Sequence, residues 1–420
     1  MRNVFDQYSQ PENRLTHALA TALLEDRRLL RRFVRWATGR PVSRTAPIGL
    51  VEQSFPGESQ PTEDEAEQRG LPDACIYQGD EWALLIESKV AAPLSVGQLL
   101  RHLRTAERRG LRRSKVLVLD TELPRGRLPA GVIIKKWSDV YAWLIGESDK
   151  SEWARRAADY FVVAENRLVE EEYLKEGTLT TFSGIPFGEK EPYNYFEAKR
   201  LLKLMMADLR ARKDLVRVLG IDPKGQGRGA ITGKDGILVW DFLRLKAAKR
   251  VEQFTNFPHL TLAIWRDRLL ATVTVPNSVK PAYRANLVAP GFDSFVDLLG
   301  SINTNLLRAL RGAEGAVPWV EIVQRHYLSQ RGKPFHDARL EYDLRTAFPQ
   351  GRAGARVRLQ PQWLRATYDS LAMKRSNLQL MIGASFHYAQ CKRTRDRRIV
   401  DYVARSWLAC RPLIAAMLKA

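Results

Sequence analysis

Three charged residues stand in and beside a stretch that otherwise has the composition of a buried strand. The segment WALLIESKV (82–90) contains Glu87 and Lys89, and Asp73 precedes the apolar run ACIYQ. Two carboxylates that face each other repel unless a cation separates them, and Mg²⁺ prefers a few carboxylates with water and phosphate oxygens. An ammonium group beside them can orient a water molecule or offset charge on a phosphoryl group. These residue types predict metal-dependent chemistry on a phosphate ester.

A β-hairpin would bring these three side chains together. ACIYQ and WALLIES both have strand composition, and residues 79–81, GDE, are typical of a three-residue hairpin loop between them. With the turn centred on Asp80, the register places Asp73 directly opposite Glu87. Cβ atoms of directly opposed residues lie about 4.5–5.5 Å apart. Lys89 follows Glu87 by two positions, so we expect it to project from the same face of the strand.

The surrounding sequence predicts an α/β domain over residues 1–172. Apolar residues at helical spacing alternate with short apolar or β-branched runs, and Gly or Pro separates many of these segments. The resulting order, α-β-β-β-α-β-β-α, describes a mixed sheet flanked by helices. The predicted helices are 12–38, 95–110, 138–147 and 151–172, and the predicted strands are 48–55, 74–78, 82–90, 115–120 and 131–137. Because the strand 115–120 is apolar without alternation, we expect it to be buried on both faces.

The order of the charged motifs also resembles a known family. Pro72-Asp73, followed by Glu87-Ser88-Lys89, resembles the signature of the PD-(D/E)xK nuclease superfamily over about residues 10–145. That superfamily includes restriction endonucleases and Holliday-junction resolvases, so the resemblance implies a restriction-endonuclease-like core. It also implies that Asp73 and Glu87 bind Mg²⁺ or Mn²⁺ and that the Ser88 carbonyl can add a ligand. Lys89 would then position or activate the water that attacks a phosphodiester.

The resemblance extends to two helices outside the hairpin. Glu12, near the start of the first helix, is similar to an acidic residue of many members that completes a second metal site or holds a metal-bound water. An acid favoured by the helix dipole is the alternative for Glu12. Gln98 matches a glutamine that, in some subfamilies, steadies the site or contacts the nucleic-acid backbone. His102 lies one turn further on, where some relatives carry an aromatic residue.

The charge of the chain is concentrated in its C-terminal part. The 420 residues carry a net charge of +20, and residues 1–172 contain equal numbers of acidic and basic side chains. The whole excess therefore lies in residues 173–420. Such an excess favours binding of a polyanion, because each neutralised phosphate releases counterions. A solvated surface of one sign is the alternative. The sequence predicts a Gly- and Pro-punctuated linker over 173–192 and a second, basic α/β or α+β domain over 193–420. Within this domain it predicts strands over 259–265, 268–276, 319–328 and 338–346 and helices around 292–311 and 396–418.

Two basic stretches are candidates for contact with phosphate. The run 101–115 presents Arg101, Arg104 and Arg108, and a solvent-exposed helix face is the alternative interpretation. The glycine-rich loop KGQGRGAITGKDG could present backbone N–H groups together with Lys224 and Arg228. It contains no GK[ST] of a P-loop and follows no clear strand, so an ordinary loop is the other interpretation.

Several protein classes are not expected from the composition. No apolar run approaches the roughly 18 residues of a membrane span, and the first residues lack the apolar stretch of a signal peptide. The three cysteines are widely scattered and match neither a disulfide framework nor a zinc site. We therefore expect a cytoplasmic protein without a membrane partner.

The sequence thus predicts a Mg²⁺-dependent endonuclease, with DNA favoured over RNA on the family resemblance alone. The resemblance also implies a bacterial defence or restriction setting, because many two-domain members of the superfamily pair this nuclease with a recognition or sensing domain. Two alternatives remain open. The chain could be a non-catalytic member that binds nucleic acid, or a subunit that stays silent until a partner protein, such as an ATPase, or a small-molecule signal activates it. A homodimer is common among enzymes that cut both strands, but the sequence indicates no interface.

Overall fold

The chain forms two compact units, Met1–Thr181 (unit 1) and Phe182–Ala420 (unit 2). Both combine helices with a β-sheet, and the boundary falls inside the segment 173–192. No helix among the described residues is long and apolar enough to cross a membrane. The computed structural model describes residues 4–5, 7–8, 10–43, 47–57, 71–90, 92–124, 126, 128–175, 177–189, 191–225, 227, 236–248, 253–329, 334–349, 358–373 and 377–419.

Unit 1 is a mixed five-stranded sheet with helices against it, as the sequence predicts. The strand order is β1-β2-β3-β4-β5, with β1, β2 and β3 antiparallel and β3, β4 and β5 parallel. The elements are α1 (Pro11–Glu25), α2 (Arg27–Thr38), β1 (Gly49–Glu52), β2 (Ala74–Gln78), β3 (Trp82–Ser88), α3 (Val96–Arg108), β4 (Ser114–Asp120), β5 (Val132–Lys136), α4 (Trp137–Glu147) and α5 (Glu152–Glu170).

The packing of strand β4 explains why its sequence is apolar without alternation. Leu117 and Leu119 pack in the larger core of unit 1, which α1, α2, α4 and α5 cover. Val116 and Val118 point the other way, into a smaller core that includes α3. Successive strand residues face opposite sides of a sheet, so a strand covered on both sides must be apolar throughout. This buried strand pairs with β3, which carries Glu87.

The predicted helix 12–38 is wrong in one respect, because the structure divides it into α1 and α2 at Asp26. The backbone of Asp26 is extended, and its carboxylate accepts hydrogen bonds from the Arg28 and Leu29 N–H groups, each at 2.9 Å. It also accepts one from the Ser151 hydroxyl at 2.6 Å. Aspartate caps a helix N-terminus well, so this residue begins a new helix rather than continuing the old one.

One buried carboxylate accepts hydrogen bonds from the backbone near the C-terminal end of unit 1. Glu165 of α5 has no exposed surface. One of its oxygens accepts the Leu179 and Thr180 N–H groups at 2.7 and 3.2 Å, and the other accepts the Thr180 hydroxyl at 2.5 Å. The first part of the segment 173–192 is therefore packed against unit 1.

We expect Glu165→Ala to lower the free energy of unfolding by about 2–5 kcal/mol, because two buried N–H groups and a hydroxyl lose their acceptor. Glu165→Gln should cost about 1 kcal/mol, since its amide oxygen can accept the two N–H groups and its NH₂ can donate to the Thr180 hydroxyl. Chemical unfolding followed by tryptophan fluorescence would measure both. Equal losses in the two variants would contradict this account.

Unit 2 is an α+β unit, one of the two architectures expected for it. The six strands among the described residues of this unit are all antiparallel, in the order β10-β9-β11-β8-β7-β6. The elements are α6 (Tyr195–Arg210), α7 (Lys213–Val218), β6 (Leu238–Leu243), β7 (His259–Trp265), β8 (Arg268–Val275), α8 (Pro281–Val288), α9 (Phe292–Ala309), β9 (Ala316–Tyr327), β10 (Pro334–Asp343), α10 (Gln362–Ala372), β11 (Asn377–His387), α11 (Ile399–Ala409) and α12 (Arg411–Met417).

The sequence located four of these six strands but missed β6 and β11. Strand β11 lies in the middle of the sheet and contains Gly383, a residue type that is depleted in strands. The sequence also predicted one helix about 396–418, whereas the structure has α11 and α12. Proline has no N–H to continue a helical ladder, and Pro412 stands in the first turn of α12.

Candidate active site

The hairpin of β2 and β3 has the predicted register. Ala74 pairs with Ile86 and Gln78 pairs with Trp82, around the turn 79–81. One step beyond Ala74 and Ile86, the same register places Asp73 opposite Glu87, just outside the paired residues. Gly79 has a φ of 49°, a left-handed conformation that glycine adopts without strain. The two carboxylates therefore lie at the same end of the hairpin.

Glu87 is the centre of the charged group. Glu87 is only 1% exposed, so its ionisable carboxylate is buried. One oxygen accepts a hydrogen bond from the Lys89 ammonium at 2.7 Å, and the other lies 2.9 Å from Nε2 of His102. The Lys89 contact confirms that Glu87 and Lys89 project from one face. Charge-assisted hydrogen bonds of this kind offset the cost of burying the carboxylate.

Asp73 lies against the backbone of β3. Its Oδ2 accepts a hydrogen bond from the Ser88 N–H at 2.6 Å. Burial and the nearby charge of Glu87 hold the pKa of Asp73 well above its usual value, and the Ser88 N–H and Lys89 offset this shift only in part. Carboxylates that repel one another in a buried setting have raised pKa values for this reason.

Lys89 keeps its proton in this setting. Burial lowers the pKa of Lys89. The charges of Glu87, Asp73 and Glu12 and the hydrogen bond to Glu87 raise this pKa by a larger amount, so the net shift is upward. The ammonium group therefore remains a cation at neutral pH, next to both carboxylates.

Glu12 ties helix α1 to the chain that leaves β3. Its Oε1 accepts hydrogen bonds from the N–H groups of Val90 and Ala92, both at 3.2 Å, and its carbonyl accepts one from the Ser88 hydroxyl at 3.4 Å. Its charge also contributes to the raised pKa of Asp73. Glu12 thus lies at the same end of the sheet and holds the backbone there. We call Glu12, Asp73, Glu87, Lys89 and His102 the Glu87 cluster.

His102 contacts the Glu87 carboxylate directly, which its position in the sequence did not predict. It is 1% exposed, and its Nδ1 is buried without a hydrogen-bond partner among the described residues. The proton is therefore best assigned to Nε2, where it is donated to Glu87. A sequence signal for this burial exists, because Leu99 and Ala106 lie three residues before and four after His102 on the apolar face of α3.

The other residues predicted on α3 lie away from these contacts. Gln98 is partly exposed, and among the described residues its side chain makes no hydrogen bond to the Glu87 cluster. Arg101, Arg104 and Arg108 are exposed to solvent. Their exposure leaves the guanidinium groups accessible to phosphate, and it equally fits a solvated helix face, so contact with nucleic acid stays a prediction.

The glycine-rich loop of unit 2 is described only in part. Lys224 is exposed, and its backbone N–H donates to the carboxylate of Asp222 at 3.0 Å. Arg228 lies outside the described residues. The phosphate contacts predicted for this loop therefore stay a prediction.

The donor types of the Glu87 cluster suit a hard divalent cation. Within the described part of the chain, no three His, Cys, Asp or Glu side chains form a ready metal-holding group. Mg²⁺, however, is commonly held by one or two carboxylates together with waters and phosphate oxygens. A carboxylate has about four lone-pair sites, so Glu87 can accept Lys89 and His102 and still offer an oxygen. A cation would also relieve the repulsion that raises the pKa of Asp73.

Comparisons with known proteins found no relative of this chain. No family model, no curated protein and no solved structure matches the chain. The fold of unit 1, the Glu87 cluster and the charge of unit 2 are therefore the features that indicate a function.

Proposed function

We propose that this chain is a divalent-metal-dependent nuclease that hydrolyses phosphodiester bonds. The observation that carries the proposal is the contact of the buried Glu87 carboxylate with Lys89, with Asp73 one step outside the hairpin ladder. This is the arrangement expected of the PD-(D/E)xK nucleases that the sequence resembles. The resemblance favours DNA as the substrate and a bacterial defence or restriction system as the setting.

Each member of the Glu87 cluster has a role under this proposal. Asp73 and Glu87 would hold Mg²⁺ or Mn²⁺, and the Ser88 carbonyl could add a ligand. The bound cation would polarise the phosphate and lower the pKa of a bound water. Lys89, kept protonated by Glu87, would orient the attacking water or offset charge on the phosphoryl group.

Unit 2 would supply most of the affinity for nucleic acid. Met1–Thr181 has equal numbers of acidic and basic residues, so Phe182–Ala420 carries the whole net charge of +20. Lys and Arg that neutralise phosphates give an affinity that falls steeply with salt. Binding would therefore weaken as salt rises even in a variant that cannot cleave.

The direct test uses labelled single-stranded and duplex DNA and RNA, each incubated with Mg²⁺, Mn²⁺ or EDTA. We expect cleavage of at least one substrate with a divalent cation and none with EDTA. The absence of cleavage with every substrate and both cations would count against an autonomous enzyme.

A second candidate function has one specific observation in its favour. Both oxygens of Glu87 already have a donor, Lys89 on one side and His102 on the other. A carboxylate whose two oxygens both accept hydrogen bonds suits a subunit whose residues rearrange only when a partner protein or a small-molecule signal binds. Cleavage that appears only after such a component is added would favour this candidate, and nucleic-acid binding without cleavage under all conditions would favour a non-catalytic role.

We expect His102→Phe to lower metal affinity and cleavage by about 10- to 100-fold, because groups that orient a ligand have effects of this size. His17→Phe is the matched control, since His17 makes a similar contact with Glu52 in unit 1, at 2.8 Å. Isothermal titration with Mn²⁺ would compare the two variants with wild type. Equal Mn²⁺ affinity in all three proteins would remove His102 from the site.

A further inference from the structure

Unit 1 contains a cavity that neither the sequence motifs nor the proposed nuclease chemistry explains. It has a volume of about 310 Å³ and lies between the C-terminal end of α2 and the first residues of β3 and β4, with Thr38, Trp82 and Lys115 in its lining. We call it the Trp82 pocket. Its volume is at the small end of the range for small-molecule sites.

The register of β3 and β4 places the Trp82 pocket on the sheet face that α2 covers. Lys115 pairs with Leu84 across the parallel ladder, and paired residues project from one face. Trp82 lies two positions before Leu84, so it projects from that face as well. Leu84 belongs to the larger core of unit 1, and Trp82 packs against this core. Glu87 lies three positions after Leu84 and projects from the other face, so the Trp82 pocket is separate from the Glu87 cluster.

The lining of the Trp82 pocket is basic. Arg40 follows α2, Arg113 precedes β4, and Lys115 is the second residue of β4. None of the described lining residues is Asp or Glu. Unit 1 as a whole has equal numbers of acidic and basic residues, so three cations at one cavity are a local concentration of positive charge.

These three basic side chains have no counter-ion in the described part of the chain. Arg40, Arg113 and Lys115 make no ion pair or side-chain hydrogen bond with another described residue, and Lys115 is only partly exposed. The dipole of α2 favours a cation near its C-terminal end, which accounts for Arg40 but not for the two residues at the start of β4. Like charges around one cavity repel, and a partly buried ammonium loses some of its hydration. An anion in the pocket would offset both costs.

Local hydrogen bonds fix the backbone that carries Arg40. Gly39 ends α2 with a φ of 72°, and its N–H donates to the Arg35 carbonyl at 2.9 Å. The Arg40 N–H donates to the Thr38 hydroxyl at 3.2 Å, and that hydroxyl donates to the Val34 carbonyl at 2.7 Å. This side of the pocket is therefore formed before any ligand binds.

An aromatic side chain forms part of the pocket wall. The Trp82 indole is partly exposed, and its Nε1 donates to the Gln78 amide oxygen at 2.9 Å. The Gln78 amide in turn donates to the Glu81 carboxylate at 3.3 Å, outside the pocket lining. The pocket thus combines its three cations with apolar surface on which an organic group can pack.

A phosphate monoester is the anion that this donor set fits best. Arginine offers planar pairs of N–H donors that match phosphate oxygens, and lysine adds a compact positive charge. A monoester has three terminal oxygens and a charge of about −1.5 to −2 at neutral pH, so it can accept from all three cations. A carboxylate has two oxygens and one charge, which leaves part of the basic lining uncompensated.

We propose that the Trp82 pocket binds a phosphate monoester through Arg40, Arg113 and Lys115, with the organic part of the ligand against Trp82. A small phosphorylated molecule and the 5′-phosphate end of a nucleic acid both supply this group. The proposal goes beyond the nuclease proposal and does not depend on it, because none of its residues belongs to the Glu87 cluster.

The test is calorimetric titration of the full-length protein, in metal-free buffer, with inorganic phosphate, nucleoside monophosphates and short oligonucleotides that end in a 5′-phosphate or a 5′-hydroxyl. We expect saturable binding of a phosphate-bearing probe that Arg113→Gln and Lys115→Gln each weaken by about 10-fold, the lower end of the range for one hydrogen bond to a charged group. Lys115→Arg should retain most of the affinity, because it keeps the positive charge.

Arg112→Gln is the matched control for this titration. Arg112 is the exposed neighbour of Arg113, lies outside the pocket lining and loses the same charge on substitution. Its backbone N–H donates to the Asp80 carbonyl at 3.1 Å, a contact that the substitution keeps. We expect its affinity for each probe to equal that of wild type.

The outcomes separate the source of the phosphate from the existence of the site. Binding of inorganic phosphate or of a monophosphate would indicate a small-molecule site, and tighter binding of the 5′-phosphate oligonucleotide alone would indicate a nucleic-acid end; both support the proposal. No binding beyond that of the 5′-hydroxyl oligonucleotide, or equal losses in Arg112→Gln and Arg113→Gln, would overturn it. Glu87→Gln should bind phosphate like wild type, so failure of cleavage and failure of the Trp82 pocket can be told apart.

Discussion

The Lys89→Met variant should cleave nucleic acid about 10²–10⁴ times more slowly than wild type in Mg²⁺, a range typical of losing a positioned proton-transfer or charge-stabilising group. The substitution keeps an unbranched side chain of similar length and removes the ammonium, which lies 2.7 Å from the Glu87 carboxylate. Binding of the substrate should change by less than about threefold, because the basic surface of unit 2 is intact. Single-turnover cleavage and equilibrium binding would measure the two effects separately.

Lys150→Met is the matched control for this experiment. Lys150 is an exposed lysine that follows α4 in the same unit, so the chemical change is identical but no carboxylate of the Glu87 cluster loses a partner. We expect its cleavage rate to equal that of wild type. Full activity of Lys89→Met, with the thermal stability of wild type, would show that the ammonium has no part in the reaction.

Asp73→Asn should have opposite effects on stability and on function. In the metal-free protein it removes a charge that is partly desolvated and repelled by Glu87, and the amide oxygen can still accept the Ser88 N–H. We therefore expect a higher melting temperature than wild type in EDTA, by about 2–4 °C for each kcal/mol of repulsion removed in a unit of this size. The variant should lose the increase in melting temperature that Mg²⁺ or Mn²⁺ gives wild type, together with cleavage.

The pH dependence gives this prediction a second readout. The pKa of Asp73 is higher in the folded protein than in the unfolded chain, where it is about 3.9. The folded state therefore binds more protons in this interval, and the contribution of Asp73 to stability falls as pH rises from the unfolded value through the folded one. The difference in melting temperature between Asp73→Asn and wild type should grow over that interval in EDTA. A difference that is independent of pH, or a variant less stable than wild type at neutral pH, would contradict the repulsion.

The Lys89→Met and Asp73→Asn variants separate two roles within the Glu87 cluster. Loss of cleavage in Lys89→Met with a normal metal-induced shift would assign Lys89 to the reaction rather than to the cation. Loss of that shift in Asp73→Asn would assign Asp73 to the cation. If both variants bind metal and cleave normally, the Glu87 cluster is not the site of the reaction.

The hairpin and the central strand of unit 1 follow from local sequence. A short turn sets the register of an antiparallel pair, and side chains alternate with a period of two, so the opposition of Asp73 and Glu87 could be counted along the chain. The apolar run of β4 likewise predicted burial on both faces. The concentration of positive charge in the C-terminal part needed only the composition of the two halves.

Other features depend on contacts between residues far apart in the chain. His102 meets Glu87 across 15 positions, and Glu12 accepts the Val90 N–H across 78 positions, so no local pattern specifies either contact. Asp26 ends a helix whose apolar spacing would have continued, because its carboxylate prefers to cap the next one. The sheet of unit 2 includes β6 and β11, which the sequence did not identify as strands. A one-dimensional pattern shows which face of a strand can be apolar, but only the packed sheet determines which face the helices cover and which face they leave open.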